Sequence, residues 1–362
     1  MNWAKCIAIA LTAAAVLLYG LAHPRHNWDM IGYVASAHFE DGLRGEALLA
    51  RTYADVKDDT SPETFINLTS ADDFRRSVYQ SPAALQEQLP FYSIRVVYVE
   101  LMRGLAVVGV SYPKATYVLG ALFSALSVVA LGLICLRTQL SACAVPLVAL
   151  ATGYLHLATF STPDSLALFG ALLATLACLS GSAWVYLIAA LLPSLRTEFI
   201  LYSALLMLAM FYRRERLRAS MALAASLAVY FTVTLSQHAY SWPTLIEFSL
   251  VKTVGFSSKP VPSHAVAVYL GLYGNAARQL LSSTHFLIYL IAGYVLAVCR
   301  MKACSSELYT LELFAVPFAF SVLHLALYPV YESRGFVLPA SLILVWMLSA
   351  MRSSSIRRTA QS

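Results

Sequence analysis

The sequence predicts an all-α fold: a polytopic transmembrane helical bundle of about ten spans, with a large first exported loop that contains interfacial helices. Three observations lead there. Hydrophobic residues make up 59% of the 362 and charged residues only 12%, about half of the roughly 25% charge usual in a soluble domain. Charge is also missing in blocks. Between Lys114 and Arg137 lie 22 uncharged residues, and 26 more separate Arg137 from Asp164; about 20 apolar residues suffice to cross some 30 Å of hydrocarbon. The basic residues sit mainly between apolar runs, so the net charge of +6 reads as membrane topology and not as a nucleic-acid surface.

The elements follow in order. Residues 6–22 come after Lys5 and are long enough for an uncleaved first span; a signal peptide cleaved near Ala22 is the alternative. An exported stretch, 23–113, holds a charged run from Glu40 to Arg76 and then QLPFYSIRVVYVELMRGLAVVG. There Arg95, Glu100 and Arg103 recur among apolar residues, which suits a helix lying in the interface. Spans are expected at 115–136, 141–160, 165–180, 183–197, 199–212, 219–238, 283–299, 308–328 and 336–351. The uncharged run 165–195 is divided at Ser180-Gly181-Ser182. A second exported stretch, 239–282, reads as interfacial helices around a Pro-containing turn. Residues 1–351 form a single transmembrane domain, and 352–362 a basic cytoplasmic tail.

Charge decides the parity. With ten spans and both termini cytoplasmic, the short inside segments hold 11 Lys and Arg residues and the short exported segments hold five. Merging 165–195 into one helix would place the RRERLR cluster outside, against the positive-inside rule. The six cysteines, Cys6, Cys135, Cys143, Cys178, Cys299 and Cys304, fall in spans or at their cytoplasmic ends. Neither a disulfide framework nor a zinc cluster is expected.

Ionisable groups at span mouths are costly in hydrocarbon and mark candidate sites. On the exported side this topology gathers Asp29, Asp164, Arg196, Glu198, Glu332 and Arg334. Asp29, Tyr33 and Ala37 share one helix face. Beside Trp28 and Tyr33, the Asp29 carboxylate is either a partly desolvated general base or a helix-start acid that complements the dipole. Asp164, in Thr162-Pro163-Asp164, carries the same ambiguity with capping. Arg196 and Glu198 read as a local ion pair or as ligand contacts. Arg334 is suited to bidentate phosphate binding, or else snorkels or pairs with Glu332. His156 and His324 lie inside spans, where a helix-to-helix hydrogen bond is the ordinary role. No P-loop, Rossmann, HExxH or serine-elbow motif is present.

In their order these features resemble the GT-C class of membrane glycosyltransferases, which includes protein mannosyltransferases and aminoarabinose transferases. The matching residues are Asp29 in WDMIGY after one span, the Pro-aromatic Leu89-Pro90-Phe91-Tyr92 leading into an interfacial helix, and Gly109 before the second span. Asp164 in TPDSLALF, the turn Leu195-Arg196-Thr197-Glu198 and the C-terminal SRGFVLP around Arg334 complete the set. Gly335-Phe336 stands where the family often continues Arg-Tyr, and Met30 follows Asp29 where the family has an acidic pair.

The resemblance implies an enzyme that moves a sugar from a polyprenyl-phosphate donor to a lipid, glycan or protein acceptor at the extracytoplasmic face of a bacterial inner membrane. It implies Asp29 and Asp164 as catalytic residues. Substrate contacts would come from Tyr33, Tyr92, Glu198, Glu332, Arg196 and Arg334, with Lys252 or Arg278 behind the arginines on the phosphate. No protein metal ligand is assigned, and a divalent metal as cofactor is left open. A transporter or flippase for lipid-linked sugars would show two related halves, which the sequence lacks. A polymerase component would carry its large exported loop late in the chain.

Overall fold

The computed structural model describes residues 3–251, 266–301 and 309–361, the side chains of 299–301 and 353–361 excepted. Among the described residues the chain is all helical, with no β-strand and one isolated bridge between Arg25 and Phe160. Four helices are long and apolar enough to cross a membrane: Trp3–Ala22, Tyr112–Arg137, Arg216–Ser236 and Ser333–Arg352. Val266–Leu281 and Thr284–Val298 pass together as a pair bent by 77°. Asp164–Leu179, Trp184–Leu195, Thr197–Tyr212 and Leu311–Leu327 are apolar but shorter.

The breaks follow local chemistry. The run 165–195 divides at Gly181, whose φ of +65° takes the left-handed turn that glycine adopts without steric penalty. The span expected at 141–160 is instead two helices, Ala144–Thr152 and Tyr154–Ala158, separated by Gly153 at φ +90°. A uniformly apolar run gives no sequence sign of such a kink. In the bundle core, Trp3–Ala22 and Asp164–Leu179 both pack on Tyr112–Arg137. Small residues permit the close approach, as is usual between helices in lipid. A Cβ on Gly120 would overlap the Phe160 carbonyl oxygen, and one on Gly20 would sit 2.6 Å from the Ala158 carbonyl oxygen. Gly120→Ala is therefore expected to lower stability by about 1–3 kcal/mol through overpacking against backbone. Gly104→Ala, which meets open space, should not, and thermal melting in detergent compares the two.

The stretch between the first two long helices is a unit of its own. It folds into six: Asp29–Glu40, Gly45–Asp59, Pro62–Ser70, Asp73–Gln80, Pro82–Tyr92 and Val96–Val107. Three of them start on caps legible in the sequence. Ser61, Asp72 and Ser81 each accept a backbone N–H from the residue three positions on, and Pro62 and Pro82 occupy first-turn positions that need no N–H donor. These helices enclose a core of their own, built on Met30, Ile31, Val34, Leu85, Tyr98 and Met102. The Tyr98 hydroxyl donates to the Thr116 carbonyl at 2.9 Å and fastens this unit to the second long helix. An ion pair between the exposed Arg213 and the buried Glu312 ties the turn after Ile200–Tyr212 to the π-helical turn Leu311–Ala315.

The chain between the first long helix and Asp29 is also anchored. The Arg25 N–H donates to the Thr159 carbonyl at 2.7 Å and the Ser161 hydroxyl to the Arg25 carbonyl at 3.3 Å. Asp29 and Asp164 each follow this crossing by three or four residues, which brings two distant helix starts together.

Candidate functional site

A cavity of about 490 Å³ lies where these helix starts meet. Six stretches of sequence line it, and they bring in four carboxylates (Asp29, Asp164, Glu198 and Glu332) and three guanidiniums (Arg95, Arg196 and Arg334). A second, shallower cavity of about 380 Å³ adjoins it and shares Asp29, Glu332 and Arg334.

Asp29 is the first residue of its helix and its side chain makes no cap. One carboxylate oxygen accepts from Asn27 Nδ2 at 2.7 Å and from Arg334 Nη1 at 3.1 Å, and the other accepts from the Tyr92 hydroxyl at 3.2 Å. Three donors fix its orientation while 29% of the side chain stays exposed to the cavity. The dipole of its own helix adds to this, as expected for an acid at a helix start. Asp164 differs. Only 3% of its side chain is exposed, and it takes the Thr162 hydroxyl at 2.6 Å, the Arg196 guanidinium, and Arg334 at 3.6 Å. It is a hub for two arginines, with almost no surface of its own exposed.

Arg196 bridges Asp164 and Glu198 with its two terminal nitrogens, the fork geometry that arginine alone offers. Its pairing is thus local and tertiary at once. Arg334 donates to Glu332 at 2.5 Å as well as to Asp29, and its guanidinium lies 5.5 Å from the Phe160 ring centre. Tyr33 stands edge-on to Tyr92 and Tyr98. Burial pushes its phenol up to about 12, against the opposing charge of Arg95, so at neutral pH it is a hydrogen-bond donor. Burial also raises the Tyr92 phenol well above its ordinary value, with the Asp29 charge adding to the effect.

The structure therefore assembles Asp29, Asp164, Tyr33, Tyr92, Arg196, Glu198, Glu332 and Arg334 around one cavity. It does not bring Arg278 there. Arg278 is exposed on Val266–Leu281, a helix that buries only Ala276, and its expected phosphate contact is corrected accordingly. Lys252 lies outside the described residues. His324 lines the cavity against Phe320 and Phe336, and its ring makes no hydrogen bond among the described residues. The helix-bridging histidine is His285 instead, held by the Thr152 carbonyl at 3.2 Å and the Tyr331 hydroxyl at 2.8 Å.

Two parts of the site escaped the sequence reading. One is Arg95, whose apolar surroundings read as an interfacial helix. The other is an aromatic wall: Phe91 stacks on Phe248 at 4.9 Å and lies against Tyr240 at 4.7 Å, with Phe231 and Trp242 also lining the cavity. Among the described residues no group of three His, Cys, Asp or Glu side chains could hold a metal ion; the carboxylates here meet guanidiniums and not one another. No family model, curated protein or solved structure matches the chain.

Proposed function

We propose that this chain is an integral-membrane glycosyltransferase resembling the GT-C class, which moves a sugar from a polyprenyl-phosphate donor to a hydroxyl of a lipid, glycan or protein acceptor. The observation that carries the reading is the cavity itself. An oriented, accessible carboxylate, Asp29, sits among half-buried guanidiniums, beside an aromatic wall that leads to the largely exposed helix Arg216–Ser236. An isoprenoid chain fits that wall, and charged groups at such a depth need a functional reason.

In this reading the acceptor oxygen attacks the anomeric carbon from the face opposite the phosphate. The acceptor proton passes to Asp29, the bond from the anomeric carbon to the phosphate oxygen breaks, and its electron pair leaves with polyprenyl phosphate. Configuration inverts. The summed positive field of the cavity's guanidiniums stabilises charge that builds on the leaving phosphate, while Asp164 holds Arg196 and Arg334 in place. Tyr92 and Asn27 aim the carboxylate of Asp29. The helices are assigned about ten passes with both termini inside, the short ones completing the bundle, and the cavity opens at the extracytoplasmic face of a bacterial inner membrane.

The test is release of free polyprenyl phosphate from a labelled lipid-linked sugar by purified protein, with acceptor fractions supplied. Acceptor-dependent release is expected. Movement of intact donor across vesicles without release would replace this reading with a transporter.

A further inference from the structure

We propose that Arg95 and the Tyr33 hydroxyl form the anion seat of the cavity, the place where a phosphodiester docks, and that Arg196 and Arg334 do not. In naming the donor's phosphate as the occupant the inference rests on the transferase reading; the seat itself rests on geometry.

The three guanidiniums are not equally free. Arg196 spans Asp164 and Glu198, and Arg334 serves Glu332, Asp29 and Asp164. Arg196 would have to abandon a buried carboxylate before taking an anion, and stripping a buried charge of its partner is strongly unfavourable; Arg334 would have to give up its hydrogen bonds to Glu332 or Asp29. Arg95 is otherwise placed. Its nearest carboxylate, Glu198, is 4.0 Å away, beyond hydrogen-bond reach. One terminal nitrogen donates to the Phe91 carbonyl, and the buried Nε has no partner among the described residues. A guanidinium has five N–H donors, and this one is 16% exposed with most of them unused.

Tyr33 supplies the second and independent half. The residue is 4% exposed and lines the cavity, yet its hydroxyl has no hydrogen-bond partner among the described residues. Among nearby charges, Arg95 acts on that hydroxyl most strongly. An unused phenolic O–H and an under-coordinated guanidinium thus share one corner. Arg95 is also the N-cap of Val96–Val107, which no side chain caps, so the positive end of a 12-residue helix adds to the same corner. Just beside it Phe91 stacks on Phe248. An anion at Arg95 would carry its apolar substituent onto that wall, and the group on its other side would face Asp29. A phosphodiester between a long isoprenoid and a sugar has this shape and order.

The experiment measures binding of undecaprenyl phosphate in detergent micelles, and of inorganic phosphate, to the full chain and three variants. Charged hydrogen bonds contribute about 1.5–3 kcal/mol each, so Arg95→Gln is expected to weaken both ligands by about tenfold or more. Arg95→Lys keeps charge but loses the fork and should fall between. Tyr33→Phe keeps the ring packing and should weaken binding by about threefold to tenfold, with an unchanged melting temperature. A folded Arg95→Gln or Tyr33→Phe variant that binds like the wild type overturns the seat. Where Arg95→Gln does not fold, Tyr33→Phe decides alone. Arg95-dependent binding by a protein that transfers no sugar upholds the seat and removes the transferase reading; a wild type that binds neither ligand removes the seat.

Discussion

Asp29→Asn is expected to lower sugar transfer by about a hundredfold to ten-thousandfold, the range a positioned general base contributes, while the protein still inserts, folds and binds lipid phosphate. The substitution is close to isosteric. With the amide oxygen in the position shared by Asn27 and Arg334, the NH2 group faces the Tyr92 hydroxyl and cannot accept from it, so one hydrogen bond is lost at a position that is 29% exposed. Loss of one partly solvated bond is worth about 1 kcal/mol, too little to unfold the chain. Initial rates and melting temperature measured on the same preparation separate the two effects. A variant with unchanged melting and wild-type turnover removes Asp29 as the base. Asp164→Asn should behave in the opposite way, with a stability loss that accompanies any loss of rate, because its side chain is 3% exposed and two arginines depend on it.

The sequence disclosed those parts of the molecule whose physics is local. Gly181 marks its own break because the neighbouring serines and the charge balance agree with it. The acids and arginines at helix starts stand out because uncharged runs surround them. The kink at Gly153 was hidden, since nothing in a uniformly apolar run distinguishes a turning glycine from a packing one such as Gly120. The number of helices between the first two long ones was hidden, although the caps at Ser61, Asp72 and Ser81 stand in the sequence. Short amphipathic helices bury their apolar faces only against each other, and that is a tertiary fact. Arg95 escaped for a related reason. Charge among apolar residues has the same pattern whether it snorkels to an interface or points into a cavity, and only the partners of its neighbours reveal which. The anchoring of Arg25 to Thr159 and Ser161, which sets Asp29 beside Asp164, leaves no mark in either segment alone.

The largest stability effect should come from Arg196. Its two terminal nitrogens are the principal partners of Asp164, 3% exposed, and of Glu198, 10% exposed. Removing one partner of a buried pair costs about 3–5 kcal/mol because the remaining charge is left uncompensated. Arg196→Met strands two carboxylates at once, which leaves Asp164 with Arg334 at 3.6 Å and Glu198 with Arg95 at 4.0 Å. The variant is expected to melt far below the wild type or to fail to accumulate. Arg196→Lys should rescue only part of the loss, since a single ammonium cannot span both carboxylates as the planar fork does. The decisive comparison is a double-mutant cycle. Combining Arg196→Met with Asp164→Asn removes a charge together with its missing partner, so the double variant should be more stable than the arginine single variant, with transfer still lost. If the second substitution instead adds its full destabilisation to the first, Arg196 and Asp164 are not coupled. The cavity would then owe its shape to the packing of Tyr33, Tyr92 and Phe91 and not to its ionic lattice.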